Sequence, residues 1–120
     1  MTRTFENLVV WKSGIELAER IYLLTNNEKM SKDYGFKDQI RRATVSIPSN
    51  IAEGHERISN QQFIYFLKIA KGSCGEVRTQ LFLGLKLGYI SEKEYERLYD
   101  SCIVLSKQLS ALITYLKPKR

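Results

Sequence analysis

The sequence is poor in the residues that metal centres and disulfide frameworks require. Its 120 residues include one histidine, His55, and two cysteines, Cys74 and Cys102. This is a poor zinc-ligand set, and a di-iron helical bundle needs two Glu-x-x-His motifs, which one histidine excludes within a single chain. We therefore expect no metal and no cofactor. Both cysteines lie on predicted core faces of helices, which indicates buried free thiols rather than a disulfide.

Long apolar runs are also lacking. No segment approaches the ~20 apolar residues that span a bilayer, and Arg3 and Glu6 interrupt the N-terminus where a signal peptide would have its apolar core. The sequence therefore predicts a cytoplasmic protein with no membrane partner. The apolar fraction of 43% is ordinary for a globular protein, and the length predicts a single domain, 1–120.

Strand-like alternation and internal repeats are missing, whereas helical periodicity runs through most of the chain. Four helices are predicted, at about residues 7–25, 33–57, 60–88 and 91–117, with residues 26–31 as the first loop. Because short loops favour antiparallel neighbours, we expect an all-α, antiparallel up-down-up-down four-helix bundle. The predicted core face of the first helix comprises Leu8, Trp11, Ile15, Ala18, Tyr22 and Thr25.

The second helix contains the most unusual segment of the chain, which combines small, polar and β-branched residues around Pro48. Proline removes one backbone hydrogen bond inside a helix, so a kink is expected there. One apolar stripe is predicted to face the core: Phe36, Ile40, Ala43, Ile47, Ile51 and Gly54. Polar residues beside it are interpreted as a structural network between the second and third helices: Gln39, Ser46, Asn50, Glu53, Ser73 and Glu76.

Several motifs in this region resemble one known family, the 23S rRNA intervening-sequence proteins. The residues that carry the resemblance are Ser46-Ile-Pro-Ser-Asn-Ile-Ala-Glu-Gly54, Phe63, Phe66 and Gly72-Ser73 with Glu76. The resemblance runs from about Phe5 to the C-terminal helix and implies a small bacterial four-helix bundle that assembles as a pentamer. It also implies a relation in fold to the accessory variability determinant of diversity-generating retroelements, which works with nucleic acid and a reverse transcriptase.

Catalytic templates are missing, so we expect a binding protein rather than an enzyme. His55 ends the second helix with no nucleophile at a fixed offset, which favours a surface or capping role. Glu53 and Glu76 are open to two interpretations, a catalytic acid pair or members of the structural network, and the network is favoured.

The third helix carries two further signals. Gly72 and Ser73 are small, and we expect both to face the second helix near its proline. Toward its C-terminal end the helix is apolar almost all round, with Phe82, Leu83 and Leu87 beyond what a bundle core hides. A second buried surface is therefore expected, which predicts a homo-oligomer, and the resemblance implies a pentamer.

Charge is distributed unevenly along the chain. The net charge is +6, and residues 59–88 carry four basic groups against one acidic group. The candidate nucleic-acid-binding residues are Arg41, Arg42, Lys68, Lys71, Arg78 and Lys86. We interpret them as a phosphate-contacting surface for RNA or DNA on a non-enzymatic accessory protein. Two alternatives stay open: a solvated face with no ligand, and a scaffold whose basic face docks a partner protein.

Overall fold

The structure, a computed structural model, describes residues 4–119. A short 3-10 turn, Phe5–Asn7, precedes five α-helices, which are α1 (Val9–Leu24), α2 (Glu28–Lys32), α3 (Tyr34–His55), α4 (Asn60–Lys86) and α5 (Glu92–Leu116). No β-strand occurs within residues 4–119, so the predicted all-α class is confirmed. The molecule is elongated, with principal dimensions of 50 × 23 × 23 Å.

Side-chain caps determine where three of the long helices begin. Asp33 precedes α3, and its Oδ1 accepts a hydrogen bond from the Phe36 amide at 3.2 Å. Ser59 caps α4 in the same way. At the start of α5, Ser91 and Glu94 form a reciprocal capping box, in which Glu94 Oε1 accepts from the Ser91 amide at 3.0 Å. Each cap satisfies a backbone N–H that has no partner in the first turn of a helix.

Helix α4 ends in a Schellman motif. Gly88 has a φ of +76°, a left-handed conformation that glycine adopts without strain. Its amide donates to the Leu85 carbonyl at 3.1 Å, and the Tyr89 amide donates to the Gly84 carbonyl at 2.9 Å. These two bonds satisfy carbonyls at the end of α4 and turn the chain toward α5.

The prediction of a plain loop at residues 26–31 is wrong, because this segment contains the short helix α2. Asn27 caps it, with Oδ1 accepting from the Met30 amide at 2.8 Å. The Met30 side chain is only 1% exposed, so it fills the end of the core. Asn27 Nδ2 also donates to the Tyr89 carbonyl at 3.0 Å, which joins this segment to the α4–α5 connection.

The predicted core stripe of α3 is confirmed, with Phe36 half-buried at its edge. Its buried members are Ile40, Ala43, Ile47, Ile51 and Gly54. Helix α3 continues unbroken through Pro48, and the kink expected there stays a prediction. Gly14 of α1 packs on this proline, because a Cβ built on Gly14 would lie 3.2 Å from Pro48 Cδ.

The predicted core face of α1 is wrong in part. Ile15 and Tyr22 are each 42% exposed. The buried residues of α1 and its C-cap are Val10, Gly14, Leu17, Ala18, Ile21 and Thr25. The predicted and the observed core residues of α1 both recur at helical spacing. The close contact of Gly14 with α3 favours burial of the observed set.

Contacts between the long helices form a closed series, in which α1 packs on α3, α3 on α4, α4 on α5, and α5 on α1. Cys74 of α4 and Cys102 of α5 are buried free thiols, as predicted. Burial raises the pKa of Cys74 to about 11 and that of Cys102 to about 12. Across residues 4–119, no helix has both the length and the apolar character required to cross a membrane.

Candidate nucleic-acid interface

The outward face of α4 carries four of the predicted basic residues. Lys68, Lys71 and Lys86 are exposed, and Arg78 is half-buried. At 100° and 1.5 Å per residue, the four lie within about 80° of one another and extend over roughly 27 Å of the helix. Glu76, the one acidic residue in the sequence of α4, lies about 80° from Lys68 on the opposite side. We call these four basic residues the basic strip.

A groove between α4 and α5 adjoins the basic strip. Its volume is about 540 Å³, and it is lined by Gly75, Arg78, Thr79, Phe82, Tyr95 and Tyr99. We call it the aromatic groove. The guanidinium carbon of Arg78 lies 5.8 Å from the centroid of the Tyr99 ring. The buried Nε of Arg78 meets no hydrogen-bond acceptor among residues 4–119, so one of its donors is unused.

Three aromatic rings follow one another along this groove. Phe82 lies 6.2 Å from Tyr95 between ring centroids, and Tyr95 lies 5.5 Å from Tyr99. The ammonium nitrogen of Lys86 is 5.3 Å from the centroid of the Phe82 ring. Cations therefore lie beside aromatic rings at both ends of the groove.

Sequence reasoning missed the two tyrosines of α5. Their i, i+4 spacing places Tyr95 and Tyr99 on one face of the helix, which is the signal that could have found them. Nothing in the spacing indicates that this face adjoins Arg78, because that depends on how α5 packs on α4.

Arg41 and Arg42 lie on α3 rather than on α4, and both have partners within the fold. Arg41 Nε donates to Thr25 Oγ1 at 2.8 Å, and its guanidinium carbon lies 4.3 Å from the Tyr22 ring centroid. Arg42 Nε pairs with Asp38 Oδ2 at 2.7 Å. Both arginines line a groove formed by α1 and α3 alone. Arg41 is thus engaged in holding the end of α1 against α3.

Part of the predicted polar network exists between α3 and α4. The hydroxyls of Ser46 and Ser73 are 2.5 Å apart, in a hydrogen bond that joins the two helices. Asn50 Nδ2 donates to the Ser46 carbonyl at 2.8 Å. Since Ser73 is buried, this bond satisfies a hydroxyl that would otherwise be stranded between the helices.

The other three predicted network members, Gln39, Glu53 and Glu76, are exposed, which corrects their assignment. Glu53 Oε2 instead accepts from Arg57 Nη2 at 2.5 Å, just beyond the C-terminal end of α3. Burying a carboxylate is costly unless it is fully paired, so both glutamates stay in water beside the helix contact rather than within it.

The expectation that Gly72 faces the second helix is wrong. Gly72 is exposed, and a Cβ built on it would meet nothing within 4 Å. Its neighbour Ser73 does face α3. The contact glycine is Gly54, where an added Cβ would lie 2.7 Å from Phe66 Cβ. The two helices are therefore in close contact where the end of α3 meets the start of α4.

His55 lies among aromatic rings at the end of α3. Its ring centroid is 5.6 Å from that of Phe63 and 6.4 Å from that of Phe5. Its Nδ1 lies 3.4 Å from Glu56 Oε2. These contacts tie the N-terminal turn to the end of α3. Within the part of the chain that the structure describes, no group of three or more histidine, cysteine, aspartate or glutamate residues is placed to hold a metal ion.

Fold and surface together define a small all-helical protein whose longest helix exposes a basic strip beside an aromatic groove. The model of the 23S rRNA-intervening sequence protein family matches residues 6–111. The chain belongs to this family.

A solved structure supports the same assignment. The chain is similar to a protein of unknown function from the S23 ribosomal protein family of Bacteroides thetaiotaomicron VPI-5482, with 31% sequence identity and a TM-score of 0.80. The match covers 88% of this chain and 98% of that one. No curated protein matches the chain.

Proposed function

We propose that this protein is a non-enzymatic, oligomeric accessory protein that binds nucleic acid through the basic strip of α4. The observation that supports this most strongly is the clustering of Lys68, Lys71, Arg78 and Lys86 on one face of a single helix that has one acidic residue, Glu76. Lysine and arginine side chains that neutralise phosphates release counterions, which gives binding that is largely independent of sequence.

The helical arrangement proposed here is an antiparallel up-down-up-down four-helix bundle made of α1, α3, α4 and α5. The closed series of helix contacts and the short connections at residues 56–59 and 87–91 support it. In such a bundle one side of α4 faces outward, where Lys68, Lys71 and Lys86 are exposed. Resemblance to the accessory variability determinant, which works with nucleic acid, favours the same function.

Self-association would multiply a weak contact. Leu83 and Leu87 are 47% and 49% exposed on α4, on the flank turned away from the aromatic groove. Together with Ile69 they supply the apolar surface proposed to be covered in a homo-oligomer, with a pentamer as the assembly that resemblance implies. Several copies of the basic strip in one assembly would bind a single nucleic acid by avidity.

Charge reversal tests the proposal. We expect Lys68→Glu with Lys71→Glu to weaken binding to every RNA and DNA sequence alike. The slope of log affinity against log salt should become shallower by about 0.7–0.9 for each lost phosphate contact. The matched control is Lys12→Glu with Lys107→Glu, two exposed lysines on α1 and α5. Binding is measured by fluorescence anisotropy across a salt series.

Two results would contradict the proposal. Equal losses from both double variants would show that net charge alone matters and that α4 is not the binding face. The wild-type protein failing to bind any RNA or DNA at low salt would instead favour a scaffold that docks a partner protein. Apolar docking of that kind depends weakly on salt.

A further inference from the structure

We infer that the aromatic groove makes this protein selective for single-stranded nucleic acid, whose bases would stack on Phe82 while the basic strip holds the phosphates. The inference rests on the proposed function and specifies the class of nucleic acid. It uses one feature that phosphate neutralisation does not need, a partly exposed aromatic ring, Phe82, beside a lysine.

Phe82 is the ring that a base can reach. It is 49% exposed, although it contacts Tyr95 at the edge of the groove. Lys86 lies over its ring on α4, one turn further along. A base stacked on the open part of Phe82 would therefore have a lysine beside it for the adjoining phosphate, a combination that single-strand-binding grooves use.

Arg78 provides the second point of contact. Its Nε is buried and has no acceptor among the described residues. Its guanidinium lies beside Tyr99, in the wall of the groove. Because Arg78 Nε makes no hydrogen bond within the described residues, the side chain can turn toward a phosphate or a base carbonyl without breaking a hydrogen bond at this atom. An unmet donor next to an open groove is the kind of polar group that a ligand commonly satisfies.

The shape of the groove favours a single strand over a duplex. Tyr95 and Tyr99 are half-buried, so only part of each ring is open to a ligand. In a duplex, each base is already stacked and paired inside the helix, and only phosphates and groove edges reach a protein surface. A duplex can therefore contact Lys68 and Lys71 but leaves Phe82 uncovered. A flexible single strand can turn one base into the groove.

Charge around the groove is mixed on the α5 side. At 100° per residue, Glu92 and Glu96 lie within about 60° of Tyr99 and on the outward side of α5. They oppose phosphates there, so the strand is expected to run along the α4 side of the groove, over the basic strip. This placement keeps the phosphates beside Lys68, Lys71 and Lys86.

The test compares a fluorescein-labelled oligo(dT) of about 15 nucleotides with a labelled duplex of equal length, by anisotropy at two salt concentrations. We expect tighter binding of the single strand. Phe82→Ala should weaken binding of the single strand by about fivefold or more and leave duplex binding nearly unchanged. The matched control is Tyr34→Ala, because Tyr34 is 74% exposed and Lys37 lies 5.1 Å from its ring centroid. Size-exclusion chromatography checks that both variants keep the wild-type assembly.

Phe82→Trp supplies a direct readout of stacking. Its indole should be quenched on addition of unlabelled oligo(dT), beyond any change seen for Trp11, the one tryptophan of the wild-type chain. Equal affinities for single strand and duplex, or equal losses in Phe82→Ala and Tyr34→Ala, would overturn the inference and leave the proposed function standing. Failure of both nucleic acids to bind at low salt would instead refute the proposed function, and the inference with it.

Discussion

Gly54 lies in close contact with α4, and adding one methyl group there tests how tightly α3 packs on α4. A Cβ at this position would lie 2.7 Å from Phe66 Cβ, 3.0 Å from Phe63 Cδ1 and 3.2 Å from the Phe63 carbonyl oxygen. Because two of these three atoms belong to the backbone or lie next to it, neither can move aside by a change of rotamer. Helix α4 itself must shift, which disturbs the contacts along its length.

The size of the effect follows from two opposing terms. Overpacking of this kind costs about 1–3 kcal/mol, and alanine recovers at most ~1 kcal/mol through its higher helix propensity. We expect Gly54→Ala to lower the free energy of unfolding by up to about 2 kcal/mol. The matched control is Gly72→Ala, where an added Cβ meets nothing within 4 Å. That variant should gain ~0.5–1 kcal/mol from propensity alone.

Thermal unfolding followed by far-ultraviolet circular dichroism measures the difference between the two variants. For a chain of this length, 1 kcal/mol corresponds to roughly 4 °C in melting temperature. The measurement is made at one protein concentration, because self-association would shift the melting temperature. Gly54→Ala melting at or above Gly72→Ala would refute the close contact of α3 with α4.

Three further predictions concern assembly, thiol reactivity and pH. Leu83→Asp with Leu87→Asp should dissociate the proposed oligomer in light scattering, whereas Leu23→Asp, an exposed control on α1, should leave its mass unchanged. Cys74 and Cys102 are buried, and their pKa values are raised to about 11 and about 12. Both thiols should therefore react with a thiol reagent only as fast as the protein unfolds. Rapid labelling of the folded protein would contradict their burial. The Tyr89 hydroxyl donates to Asp33 Oδ2 at 2.7 Å, and this bond together with the Phe36 amide lowers the pKa of Asp33. The same bond, with a smaller contribution from burial, raises the pKa of Tyr89. The hydrogen bond between Tyr89 and Asp33 contributes fully to the free energy of unfolding between about pH 4 and 10. This contribution is lost as pH falls through the lowered pKa of Asp33. It is also lost as pH rises through the raised pKa of Tyr89. Tyr89→Phe should therefore flatten the pH dependence of unfolding free energy at both ends, and an unchanged profile would show that the bond contributes nothing.

The sequence predicted α3 well and α1 poorly, and the reason is physical. Helix α3 has one apolar stripe, through Ile40 and Ile47, so a single burial pattern fits it. Helix α1 has two competing stripes, one through Ile15 and Tyr22 and another through Leu17. The contact between a glycine of α1 and a proline of α3 decides between them, and that contact is tertiary.

Two further features could not be predicted from the sequence: a helix too short to show a periodicity, and side-chain contacts that depend on tertiary packing. Helix α2 has five residues, too few for a periodicity to show, and buried Met30 holds it in place. Gly54 and Gly72 both stand beside small residues in helical patterns, yet only the packed structure shows which one meets a neighbour. Arg41 and Arg42 are adjacent in sequence and basic, but Arg41 is engaged with Thr25, which no spacing rule reveals.

The basic strip could be found from the sequence because its members share one long helix, where angles follow from residue numbers. The aromatic groove could not, because it needs the register of α5 against α4. Thus the charged half of the candidate site was predictable, and the half that would distinguish one nucleic acid from another was not.

Lysine footprinting tests whether the basic strip of α4 is the surface that contacts nucleic acid. The protein is acetylated briefly with and without a saturating single-stranded oligonucleotide, and modification at each lysine is measured by mass spectrometry. We expect protection of Lys68, Lys71 and Lys86, with Lys12 and Lys107 modified equally in both samples. Protection spread evenly over all lysines, or confined to those outside α4, would contradict this expectation.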